Sequence, residues 1–202
     1  SRFHDLLKSK LAAVEPYDVI FTSDDNALAF ALEYREELFP GVPLVFFGVN
    51  DQERARSLEA AKGITGVIES VSMRETLELM DQLLPDSETI YAIVDATPSG
   101  QGDLITFMEL ATSFPDKNFA VLSMADMTWA DFSFRLTEIG PNDALLLLSA
   151  YRDSENAEKL FDQSLDLILQ HAPVPVFHLW EHGVGDGVLG GKIISHFMQG
   201  SV

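Results

Sequence analysis

The stretch Tyr17-Asp18-Val19-Ile20-Phe21-Thr22-Ser23-Asp24-Asp25-Asn26, with the run 27–38 and Phe39-Pro40-Gly41 behind it, decides how the chain reads. The β-branched and aromatic residues of 17–21 predict a strand, and the polar residues after Phe21 predict its end. Residues 27–38 have helical periodicity. Pro40 and Gly41 close that helix, because Pro lacks the N–H a further turn needs and Gly permits a left-handed turn. Pro43-Leu44-Val45-Phe46-Phe47 is the next strand, ending at Gly48-Val49-Asn50-Asp51. Strand, helix and strand in this order make a parallel crossover unit, so the class is α/β.

Working outward, a helix over 2–14 precedes this unit, and a short charged helix over 52–61 leads to a glycine-punctuated strand at 63–68. Ser72-Met73-Arg74-Glu75 has capping-box spacing and opens a helix that runs to Leu84. The alternation then restarts with strands at 89–94, 119–122, 144–148 and 174–180. Helices are expected through Leu110, over 129–139 and over 155–171. A glycine-rich loop, 181–190, leads into a last helix over 192–198. Two sets of βα units result, with the boundary near Ser72.

Composition excludes several functions. Among 202 residues, 13 Lys and Arg face 32 Asp and Glu, a formal charge of −19 that repels phosphate backbones and anionic lipid, and no local basic patch offsets it. Nucleic acid is therefore not an expected partner. Disorder is a poor reading, because 47% of the residues are hydrophobic and 14 are Phe. The absence of cysteine removes disulfides, thiolate metal sites and cysteine nucleophiles. No apolar run reaches the roughly 20 residues a membrane helix needs. The N-terminus lacks a signal peptide's apolar stretch and an initiator Met, and the chain reads as a processed or excised fragment.

In open parallel sheets, ligands sit beyond the carboxyl ends of the strands, where helix N-termini offer N–H groups. Five such ends are polar here: Thr22 to Asn26, Asn50-Asp51, Asp95-Ala96-Thr97-Pro98-Ser99-Gly100, Ser149-Ala150-Tyr151 and Trp180-Glu181-His182. Each of these side chains could instead do no more than cap the following helix. Asp24 and Asp25, adjacent at a turn, are better read as capping groups than as an acid/base pair. His178 and His182 are four apart but fall on a strand and its loop, a poor zinc pair. Gly185-Asp186-Gly187-Val188-Leu189-Gly190 matches a dinucleotide fingerprint in letters only, because no second strand with a ribose-binding acid follows. It reads as a flexible return loop. The phosphate-binding P-loop and the G-x-S-x-G pattern are both missing, so no catalytic residue, metal ligand or cofactor is assigned.

The stretches 17–27, 37–51 and 63–67, together with Trp180-Glu181-His182-Gly183-Val184-Gly185-Asp186-Gly187-Val188-Leu189-Gly190-Gly191-Lys192, resemble the ABC-transporter substrate-binding-like family, which has a type I periplasmic-binding fold. Within it, they are similar to extracytoplasmic sensor domains of bacterial histidine kinases. The resemblance implies two lobes with parallel sheets flanked by helices, ligand binding in the cleft between them, hinge closure passed to a membrane partner, and no catalysis. It also implies a strand and helix upstream of Arg2, so the first lobe lacks its initial strand. Residues 1–70 and 181–202 are expected in the first lobe, and 71–180 in the second. The expected ligand-binding residues are Ser23, Asp24, Asn26 and Asn50 on one wall and Thr97, Ser99 and Tyr151 on the other, with Trp180, Glu181 and His182 where the chain returns. The expected ligand is amino-acid-like, zwitterionic or cationic. The partner is the membrane-embedded signalling region of the same protein, which tethers the domain in the periplasm or another extracytoplasmic space; a homodimer stays open. Two alternatives remain: a solute-binding component of an ABC uptake transporter, and a flavodoxin-like or receiver domain with Asp24, Asp25 and Asp95 as an acidic metal site.

Overall fold

A short strand followed by an amphipathic helix buries one stripe, and in the first third of the chain that stripe is Leu28, Ala31 and Leu32. It lies on Ile20, Leu44, Phe46, Val49 and Ile64, with Ala55 and Leu58 completing the cluster. The structure, a computed structural model, describes residues 2–68 and 71–192 and divides into two compact units, Ser1–Glu69 and Ser70–Val202.

The first unit runs α1 (Arg2–Leu11), β1 (Ile20–Ser23), α2 (Asp25–Leu38), β2 (Leu44–Val49), α3 (Gln52–Ser57) and β3 (Ile64–Ile68). Its strands are parallel in the order β1-β2-β3. Helix α1 is held to α2 by Lys8 and His4, which both reach Glu37, at 2.6 and 3.1 Å, and by the edge of Phe3 on Phe30. Those two partners hold the Glu37 carboxyl below its ordinary pKa. Gly66 is required where β3 meets β2, because a Cβ there would fall on the Phe46 carbonyl and ring.

Among the described residues, only one face of this sheet carries a core. On the other, Phe21 is 64% and Phe47 44% exposed, with the half-buried Val45 paired in register with Phe21. β1 is an edge strand, and among the described residues none pairs with its outer side. Parallel sheets are ordinarily covered on both faces, so this one presents an apolar surface to water. The 202-residue chain should therefore enhance the fluorescence of an anilinonaphthalene sulfonate dye. Phe21→Ser combined with Phe47→Ser should remove most of that signal, and an unchanged signal would place the dye elsewhere.

The second unit is covered on both sides. It runs α4 (Met73–Leu83), β4 (Thr89–Val94), α5 (Pro98–Leu110), β5 (Asn118–Ser123), α6 (Trp129–Thr137), β6 (Asp143–Leu147), α7 (Phe161–His171) and β7 (Val176–His178). The four strands are parallel in the order β5-β4-β6-β7. Successive side chains of β4 and β6 enter opposite cores, as the two-residue period of a strand requires. Ile93, Leu145 and Leu147 meet Phe132, Leu136, Leu165 and Ile168 of α6 and α7. Ile90, Ala92, Val94, Ala144 and Leu146 meet Met73, Leu77, Met80 and Phe107 of α4 and α5.

At the amino end of this sheet Lys117 closes α4. Its side chain is 6% exposed, its Nζ donates to the carbonyls of Pro85 (2.9 Å) and Ser87 (2.7 Å), and it pairs with Asp81 at 3.1 Å. No helix among the described residues is long and apolar enough to cross a membrane.

Several expectations differ. Ser72 precedes α4 but makes no side-chain cap; its hydroxyl donates to the Lys192 carbonyl instead. A capping box does form at α6, where Thr128 and Asp131 exchange bonds. Residues 155–160, expected as the first turns of a helix, form a loop, and α7 begins at Phe161. Residues 181–192, expected in the first lobe, pack with the second unit: Leu189 N–H donates to the Val176 carbonyl, Lys192 N–H to the Thr76 hydroxyl, and Gly187 lies against Leu169. The helix expected over 192–198 falls, after Lys192, outside the described residues.

Candidate functional site

In the first unit β1 ends on Ser23 and the chain turns sharply at Asp24, which has φ 84° and ψ 156°. A non-glycine residue in this region costs about 1–3 kcal/mol. Two bonds hold it: Asp24 N–H donates to the Phe47 carbonyl at 3.1 Å, and its carboxylate accepts from Asn26 N–H at 3.1 Å, capping α2. Asp25 does something else. Its buried carboxylate accepts from the backbone N–H groups of Asn50 and Asp51, each at 3.1 Å, and so ties the loop after β2 to the start of α2. Asp51 in turn caps α3 through Arg54 N–H. Ser23, Asp24 and Asn26 are exposed around this staple, with Asn50 half-buried beside them.

The second unit repeats the device. Asp95 follows β4 and is 0% exposed. Its Oδ1 accepts from Thr97 N–H (3.0 Å), the Thr97 hydroxyl (2.5 Å) and the Ser149 hydroxyl (2.9 Å), while Oδ2 accepts from Tyr151 N–H (2.7 Å). Thr97 also caps α5 by accepting from Gly100 N–H. Gly100 lets α5 approach β6, since a Cβ there would fall on the Ser149 hydroxyl. Ser99 lies in the first turn of α5, half-buried, and the Tyr151 side chain is 43% exposed. Burial, aided by the Asp95 charge, raises the Tyr151 pKa, which keeps the phenol a neutral donor.

Beyond Tyr151 a third buried carboxylate shapes the loop. Asp153 accepts from the N–H groups of Ala157 (2.8 Å), Glu155 (3.0 Å) and Trp129 (3.1 Å). Burial pushes its pKa up, and these backbone donors outweigh that and hold it low. With Asn156 at φ 60°, the loop cannot continue into α7 as a helix. Trp129 packs over it, donating from Nε1 to the Ala157 carbonyl, with Lys159 Nζ 5.2 Å from its ring.

At the end of β7, His178 donates from Nδ1 to the Leu147 carbonyl (2.7 Å) and stacks on Phe161, whose ring meets His182 edge-on at 5.6 Å. Burial pushes the His178 pKa down to about 4, against a weaker upward pull from the Leu147 carbonyl. Glu181 and His182 are exposed, and Trp180 is half-buried against the Phe107 core.

The structure thus brings Thr97, Ser99 and Tyr151 together around Asp95 in the second unit, with Ser23, Asp24, Asn26 and Asn50 around Asp25 in the first. Sequence reading missed the role of Asp25 and Asp95, though an Asp directly after the apolar strand 89–94 was the available signal. As a receiver-type metal site Asp24, Asp25 and Asp95 gain no support: Asp95 is in the other unit, and the two buried carboxylates are taken up by donors of the chain. Among the described residues no group of His, Asp or Glu side chains is placed to hold a metal ion. A depression of about 170 Å³ lined by Leu84, Asp86, Asn142 and Pro175 lies at the amino ends of β4, β6 and β7, the wrong end for this kind of site.

The α/β fold, with parallel sheets flanked by helices, is shared with solved structures. The ABC domain in complex with L-Trp from Streptococcus pneumonia superposes with a TM-score of 0.70 at 14% identity, over 97% of this chain and 64% of that one. A conserved domain protein from Vibrio cholerae gives 0.62 at 18% identity, over 91% and 60%. A substrate binding protein with adhesive properties from Clostridium difficile, in its ligand-free open form, gives 0.62 at 15% identity, over 97% and 64%. The chain spans less than two thirds of the length of each. No family model matches it, and no curated protein matches it in sequence.

Proposed function

We propose that the chain is the ligand-binding part of an extracytoplasmic small-molecule receptor, without catalytic activity of its own. The observation that carries this reading is the repeated arrangement at the strand carboxyl ends, where a buried aspartate in each unit holds polar loops open to solvent. In the second unit, Ser99 and the first turn of α5 suit a carboxylate, the exposed Glu181 suits an ammonium group, and the neutral Tyr151 hydroxyl donates. An amino acid fits that set. The Streptococcus neighbour holds L-Trp, which makes L-tryptophan the first probe.

The sequence resemblance favours the sensor domain of a membrane-tethered, histidine-kinase-type signalling protein. The descriptions of two structural neighbours, an ABC domain and a substrate binding protein, favour the transporter component instead. A membrane helix and kinase region in the same polypeptide would decide for the sensor. The binding reading itself is tested by thermal unfolding with a panel of amino acids, polyamines and small metabolites. One class should raise the melting temperature and give a saturable calorimetric isotherm. Silence across the panel, in this chain and in the full-length protein, would refute it.

A further inference from the structure

We infer that Asp95 is a positioning residue for the second-unit loops, with Asp25 its counterpart in the first. Both carboxylates are buried, both stand just after the strand that leads their unit's candidate loops, and both reach sideways to backbone N–H groups of the loop after a neighbouring strand. A carboxylate has about four acceptor positions. Three donors, two from Thr97 and one from Ser149, converge on its Oδ1 and Tyr151 N–H takes Oδ2, so the α5 loop and the loop after β6 are fixed to one carboxylate. With the residue 0% exposed, the carboxylate is turned to these loops and closed to a ligand cation from solvent. Asp95 acts on recognition through Thr97, Ser99 and Tyr151, whose places it sets, and an ammonium group must be recognised by other carboxylates.

Asp95→Asn is nearly isosteric, yet it sets an amide NH2 or a weaker carbonyl against N–H groups that now meet a charge. Amide exchange at Thr97 and Tyr151 should quicken by about tenfold or more, because hydrogen bonds to a charged acceptor are roughly twice as strong as neutral ones. The binding arm rests on the function proposed above and uses L-tryptophan as probe. The Kd should weaken by about tenfold in Asp95→Asn. It should stay nearly unchanged in Ile90→Val, which loosens the core near the opposite end of the same strand. Equal weakening in both variants, or unchanged exchange at Thr97 and Tyr151 in Asp95→Asn, overturns the inference. If the wild-type chain binds no L-tryptophan, that choice of ligand fails and the exchange rates alone decide the role of Asp95. If Asp95→Asn does not fold, Ser149→Ala and Thr97→Val each remove one donor; faster exchange at Tyr151 in both supports the inference, and unchanged exchange overturns it.

Discussion

Acidification from about pH 7 to about pH 4 should cost the second unit about 3 kcal/mol, most of it through His178. The ring is buried between Phe161 and the Leu147 carbonyl, which leaves it neutral in the fold down to about pH 4. An unfolded chain protonates it near 6.5. Between those values the unfolded state binds a proton that the folded state refuses, so stability is full above the upper value and falls as the pH drops towards the lower one. Both tryptophans, Trp129 and Trp180, belong to the second unit, and their fluorescence in urea reports that unit alone. His178→Gln should be less stable at neutral pH and nearly flat across the window. Acidification also relieves the repulsion within a chain of charge −19, and the comparison with His178→Gln cancels that contribution. An equal pH slope in both proteins would remove His178 as the cause.

Lys117→Met should cost a similar amount, about 3 kcal/mol, because it removes a buried ammonium from several acceptors at once. Its Nζ serves the carbonyls of Pro85 and Ser87, the Ser87 hydroxyl at 3.2 Å and Asp81. The methionine keeps most of the packing volume, so the loss measures the polar contacts. The urea midpoint should drop with little change in slope. A loss below about 0.5 kcal/mol would mean that water replaces the ammonium at every acceptor.

Much of this architecture was legible in the sequence. Strand 89–94 matches because its residues are apolar on both faces and Pro85 and Pro98 bracket it. Strand 17–21 was displaced to Ile20–Ser23, since with one face of that sheet bare the apolar residues Tyr17 and Val19 mark no buried strand. The helix expected from Glu155 failed for a different reason: Asp153 collects N–H groups from residues 155 and 157, which a helix would need for itself. The candidate loops were found from their polarity alone. Their organisation was not, because Asp25 and Asp95 read as helix caps along the chain, and only the fold brings the N–H groups of residues 50, 51 and 151 to them.

Those contacts have a consequence for how such a site can change over generations. Tyr151, Asn50 and Asp51 are held through their main-chain amides, which every residue except proline possesses. At Tyr151 the side chain can therefore be exchanged without losing that amide contact, whereas the Asp51 side chain also caps α3. Under the proposed function, ligand preference can shift at residue 151, while the aspartates beneath these loops, and Gly100, which admits Ser149 to the cluster, are the positions where substitution acts on the loops themselves.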